Sequence, residues 1–152
     1  MSKFKTYAVS ILVPVAVGGI VGLLISGAMD YDMLEKPFIA PPSIVFPIVW
    51  TILYILMGVS YGLLKDNSEV DSEINVAYYG QLFINALWPI FFFVFKWRLF
   101  AFIWIVLLVI AVINMIVKFY ARNKVAGLLQ IPYLLWTLFA TYLNIGIYLL
   151  NK

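Results

Sequence analysis

Five stretches of this chain carry no charged residue, and that spacing constrains the fold more than any other feature. They are 7–29, 37–64, 74–95, 99–117 and 125–151, with lengths of 23, 28, 22, 19 and 27 residues. A hydrocarbon core about 30 Å thick needs roughly 20 residues of helix at 1.5 Å rise each. Each stretch is therefore long enough to cross a bilayer. Inside lipid every backbone N–H and C=O must be paired, which leaves helices or closed barrels. A barrel strand alternates polar and apolar positions, and these runs do not. The spacing predicts an all-α protein, an integral membrane bundle of five transmembrane helices. The helices are expected near 7–29, 43–64, 74–95, 99–117 and 125–150, in one domain over 1–152. The first loop, 30–42, is the longest. The first run also has a signal-peptide aspect, with Ser26-Gly27-Ala28 as a small-x-small site. At 23 residues it exceeds the 7–15 of a signal h-region, so it reads as a retained helix.

Composition agrees. Hydrophobic residues are 65% of the chain and charged residues 11%, against about 45–50% and 25% in soluble domains. A 152-residue soluble globule has too much boundary to hide that apolar surface. No Cys and no His are present. Thiol nucleophiles, disulfides, Cys/His metal sites and His proton shuttles are thereby excluded. No Asp, Glu, Lys or Arg falls within the core of a span, which disfavours a proton-coupled pump or carrier. No paired carboxylates, Ser/Lys dyad or phosphate loop appears. No metal and no required cofactor is expected. The net charge of +3 belongs to loops beside lipid headgroups rather than to nucleic-acid binding. Lys and Arg divide six to four between the two ends of the bundle, which favours a cytoplasmic N-terminus.

Aromatic residues are 18% of the chain. Trp50, Tyr54, Met57 and Tyr61 share one helical face. Gln81, Asn85, Trp88 and Phe92 share another, and Tyr133, Trp136, Ala140 and Asn144 a third. A pocket between such faces suits a flat, largely apolar ligand with a few polar groups. The competing roles are interfacial anchoring for the tryptophans and interhelical hydrogen bonds for the amides, Asn114 among them. Gly18, Gly22 and Ser26 in helix 1, and Gly58 and Gly62 in helix 2, form small-xxx-small stripes. These serve internal packing or a dimer face. Pro14, Pro47, Pro89 and Pro132 are expected to bend their spans. The first loop holds four charges and three prolines, including Pro41-Pro42, and is stiff enough to act as a lid.

At these positions the sequence resembles the TspO/MBR family of tryptophan-rich sensory proteins and translocator proteins. The resemblance rests on Tyr31, Leu34-Glu35-Lys36-Pro37 and Pro41-Pro42 in the first loop. It continues through Phe46-Pro47, Trp50-Thr51, Leu53-Tyr54 and Met57-Gly58. Gly80-Gln81, Asn85, Trp88-Pro89 and Phe91-Phe92 extend it, with Pro132-Tyr133, Trp136 and Phe139 to Asn144 on the last helix. The resemblance implies a homodimeric five-helix bundle, multi-pass in a bacterial cell membrane, with the first loop closing a cavity. It implies binding of porphyrins such as protoporphyrin IX and haem, and of benzodiazepine-type ligands. Light-dependent porphyrin degradation, with a sensory or regulatory role, is the associated activity. Trp50 and Trp136 match the family's photochemically important pair. Tyr31, Pro41, Pro42, Tyr54, Gln81, Asn85, Trp88, Phe92, Ala140 and Asn144 are the further ligand-binding candidates. The alternative function is transport of porphyrins or other lipophilic small molecules. Two positions depart from the family pattern. Ile39 stands where a Trp is common, and Ile145 and Leu149 replace the Tyr and Arg of the sterol motif.

Overall fold

The structure is a computed structural model and describes residues 2–152. Its helices are α1 (Lys3–Ile25), α2 (Val45–Asp66), α3 (Ser72–Pro89), α4 (Arg98–Arg122), α5 (Lys124–Leu128) and α6 (Ile131–Asn151). Five segments cross the membrane: α1, α2, α3 with its extension to Val94, α4, and α5 with α6. This is the all-α, five-span architecture expected from the charge-free runs.

Four features of the helices differ from expectation, each for a local reason. The first helix ends at Ile25 rather than 29: a turn follows, in which the Ala28 N–H donates to the Ile25 carbonyl at 2.9 Å. The Ser26-Gly27 pair weakens the helix there. The third span widens after Pro89 into a π-helical turn, Ile90–Val94. Proline has no N–H to return to the carbonyl four residues back, and the chain closes instead with Phe95 N–H on Ile90 at 3.0 Å. The last span is broken at Leu129-Gln130, ahead of Pro132. The expected 118–124 loop is absent, because α4 continues to Arg122 and Asn123 alone joins it to α5. The Asn123 side chain accepts from the N–H groups of Val125 and Ala126 at 3.0 and 3.2 Å, which caps α5.

α2 meets α1 backbone to backbone at Gly58. A Cβ added at Gly58 would lie 2.3 Å from Ile11 Cα and 2.6 Å from the Ser10 carbonyl oxygen. The Gly58 and Gly62 stripe is thus internal packing, while Gly19 and Gly22 of α1 face open space. At the end opposite the first loop the bundle is solid, with Leu64, Ile74, Met115, Phe119 and Ala126 fully buried. At the loop end α2, α3 and α6 meet through long side chains rather than backbone, and a space remains between them.

The first loop, residues 26–44, lies against α6. Asn151 pairs with the Glu35 backbone in both directions: its Nδ2 donates to the carbonyl at 2.8 Å and its Oδ1 accepts from the N–H at 3.0 Å. Tyr142 donates its hydroxyl to the Phe38 carbonyl at 2.6 Å. Pro37 packs on Gly146, where a Cβ would sit 2.6 Å from the ring. Ile39, with φ of 65°, occupies the left-handed region at the third position of the turn 37–40. That position favours Gly or Asn, and a β-branched residue there costs about 1–3 kcal/mol.

Candidate ligand cavity

Under the first loop lies a cavity of about 430 Å³, within the range of small-molecule sites. Four helices wall it, and the first loop adds a side chain. α2 contributes Phe46, Pro47, Trp50, Thr51 and Tyr54. α3 and its π turn contribute Asn85, Trp88, Phe92 and Phe93, and α6 contributes Ala140, Leu143, Asn144 and Ile147. Tyr31 comes from the loop. α1 supplies the fourth wall with Val15, Gly18, Val21 and Ile25. No charged side chain lines it among the described residues.

Of the expected site residues, Tyr31, Trp50, Tyr54, Asn85, Trp88, Phe92, Ala140 and Asn144 converge on this space. Four stand outside its lining. The Pro41 carbonyl accepts the Tyr31 hydroxyl at 2.6 Å, so Pro41 orients the loop tyrosine, and Pro42 follows it in the loop. Gln81 lies beneath the floor, 1% exposed. Trp136 stands behind Trp50, edge to face, with ring centroids 6.5 Å apart. It also meets Phe46 at 5.7 Å. Its indole N–H is buried and has no partner among the described residues. Asn114 is exposed on α4 and forms no interhelical bond among them, against expectation. Sequence patterning missed Phe46 and the whole α1 wall. The available signal was Gly18: without a Cβ it lets the Tyr54 ring press onto α1, where an added Cβ would lie 2.4 Å from the ring.

The walls are fixed by hydrogen bonds. Trp88 Nε1 donates to Asn144 Oδ1 at 2.9 Å, and Asn144 Nδ2 donates to the Arg98 carbonyl at 2.8 Å. The Arg98 guanidinium lies over the Phe92 ring, 5.1 Å from its centroid. It also donates to both Asp30 carboxylate oxygens at 2.7 Å, while Lys96 approaches Asp30 at 3.4 Å. A chain of contacts thus runs from the cavity wall to the start of the loop. Burial raises the Asp30 pKa, but hydrogen bonding and charge from Arg98, then Lys96, outweigh it and hold the carboxyl below 3.8. Burial, then the Asp32 charge, raises the Tyr31 hydroxyl above 10.0, so it stays a donor to Pro41. Because the Asp30 pKa is depressed on folding, its contribution is complete above 3.8 and is lost as pH falls through the lower folded value. The protection factors of the amides in residues 30–36, measured against their intrinsic exchange rates, are expected to stay flat across neutral pH and to fall only below 3.8. Asp30→Asn is expected to show the lowered protection already at neutral pH.

These features define a multi-pass integral membrane protein with an aromatic cavity beneath a docked loop. The chain matches the TspO/MBR family over residues 10–150, and it belongs to that family. It is 43% identical to "Tryptophan-rich protein TspO" of Archaeoglobus fulgidus, over 80% of this chain and 79% of the relative. Identity is 34% to "Tryptophan-rich sensory protein" of Cereibacter sphaeroides, over 86% and 82%. It is also 34% to "Translocator protein" of Homo sapiens, over 78% and 72%.

Proposed function

We propose that this protein binds a flat tetrapyrrole, of the protoporphyrin IX or haem type, in the cavity under the first loop. One observation carries the reading: a roughly 430 Å³ space walled by Tyr31, Phe46, Trp50, Tyr54, Trp88 and Phe92, with no charged side chain in its lining. Aromatic faces offer a macrocycle dispersion and quadrupole contacts worth about 0.5–1.5 kcal/mol per ring pair beyond area burial. The same walls suit the benzodiazepine class of ligand. Light-dependent loss of the macrocycle, with dioxygen as oxidant, is the accompanying activity. In it Trp50 meets the ligand face, and Trp136, 6.5 Å behind it, acts through Trp50. The names of the relatives fit a sensory role in which loop position reports occupancy.

The test is titration of detergent-solubilised protein with protoporphyrin IX, followed by tryptophan quenching and then by illumination. Saturable quenching and bleaching faster than in protein-free detergent are expected. In Trp50→Phe/Trp136→Phe the bleaching rate is expected to fall about tenfold, to the protein-free level. Undiminished binding and bleaching in the double variant would remove the two tryptophans from the mechanism.

A further inference from the structure

A buried polar network under the cavity has only one consistent direction, and a backbone carbonyl sets it. Gln81 places an amide atom 2.8 Å from the Tyr78 carbonyl oxygen. A carbonyl only accepts, so that atom is Nε2. Gln81 Oε1 then faces the Tyr133 hydroxyl at 2.6 Å and takes its proton. With its proton spent, Tyr133 Oη can only accept from Asn85 at 2.8 Å, so the facing atom is Nδ2. Asn85 Oδ1 is left toward Tyr54 and takes the Tyr54 proton at 2.6 Å. Gln81, Asn85 and Tyr133 are each at most 2% exposed, which keeps water from reversing the order. Tyr54 ends the chain at the cavity wall with a lone pair and no proton to offer.

The other hydroxyls of the cavity follow the same pattern. Tyr31 spends its proton on the Pro41 carbonyl and Thr51 on the Pro47 carbonyl, both at 2.6 Å. The Trp88 N–H is spent on Asn144, whose own orientation is set by the Arg98 carbonyl. Among the indoles of the lining, only the Trp50 N–H lacks a partner among the described residues, and Trp50 is stacked on Tyr54 at 5.7 Å.

We infer that the floor of the cavity selects flat apolar ligands carrying an N–H or O–H donor at their inner edge, with Tyr54 Oη as the acceptor. A ligand that brings an ether or carbonyl oxygen there sets lone pair against lone pair, and an unmade hydrogen bond among largely apolar walls is costly. This rests on the reading of the cavity as a ligand site; a tetrapyrrole, whose edge carries no N–H, meets it by turning a hydrocarbon edge to Tyr54.

Carbazole and dibenzofuran are near-isosteric tricycles that differ by N–H against O. Equilibrium dialysis of each against protein-loaded and empty nanodiscs measures the selection. The native protein is expected to hold carbazole about tenfold more tightly. Tyr133→Phe lies outside the cavity lining but releases the Asn85 amide to turn over, so that Tyr54 can offer its proton to the ligand. The preference is expected to shrink to within about twofold in that variant. Tyr54→Phe is expected to erase it as well, and serves if Tyr133→Phe does not fold. Equal affinities in the native protein overturn the assignment, as does a preference that survives either variant. Saturable binding of neither probe overturns the cavity reading too, which separates the two failures.

Discussion

Replacing Gly58 by Ala is expected to destabilise the protein by about 3 kcal/mol, the upper range for overpacking. The added methyl would lie 2.3 Å from Ile11 Cα, 2.6 Å from the Ser10 carbonyl oxygen and 2.8 Å from Ile11 N. All three are backbone atoms of α1, so no rotamer change relieves the contact. The two helices must separate, and with them part of the α1 wall of the cavity. Pro14 shares in this closeness: it lacks the N–H that would return to the Ser10 carbonyl, and α2 approaches that carbonyl. Gly80→Ala is the matched control, since nothing lies within 4 Å of the added atom. There the helix-propensity gain, up to about 1 kcal/mol, is expected to leave stability unchanged or raised. Thermal unfolding in detergent, followed by intrinsic tryptophan fluorescence, reads both. A Gly58→Ala protein as stable as native would mean that α1 and α2 are not in backbone contact.

Asn85→Ala is expected to cost about 2–3 kcal/mol. Asn85 accepts the Tyr54 hydroxyl at 2.6 Å and donates to the Tyr133 hydroxyl at 2.8 Å, linking α2, α3 and α6 through one side chain. Truncation leaves the Tyr54 proton without its acceptor and the Tyr133 oxygen without its donor, at side chains only 9% and 1% exposed. Each such group costs about 1–3 kcal/mol in protein interiors, and single interhelical bonds in membranes average less. Asn114→Ala is the contrast. Asn114 is exposed on α4, and its removal is expected to change stability by under about 0.5 kcal/mol. The same unfolding assay distinguishes them. Equal small effects at both positions would mean that the central network carries no stability.

The departure at Ile39 acquires a physical meaning from the loop geometry. A left-handed conformation at a β-branched residue persists only where its surroundings enforce it. Here Pro37 against Gly146 and Tyr142 on the Phe38 carbonyl hold the turn to α6. Ile39 itself is exposed, so the position that is often Trp in the family adds no side chain to the cavity lining.

Much of this was legible in the residue order, because a bilayer reduces the problem to length and polarity. Charge-free runs specify the spans, since unpaired backbone in lipid leaves no alternative to helix. Helical periodicity placed Trp50 with Tyr54, Asn85 with Trp88, and Ala140 with Asn144, and each pair borders the cavity. Periodicity assigns a residue to a face but not to a depth. Gln81 shares the Asn85 face yet lies below the floor, and Trp136 shares the Ala140 face yet stands behind Trp50. Only the packing decided those, through the tilt and spacing of neighbouring helices. The α1 wall was hidden for a related reason: residues 11–25 of that helix are all apolar, with no polar side chain to mark a face, and Gly58 against the α1 backbone determines which side turns inward. The proton order of the buried network is likewise tertiary, because it begins at one backbone carbonyl of α3, crosses to α6 and back, and ends at Tyr54 of α2.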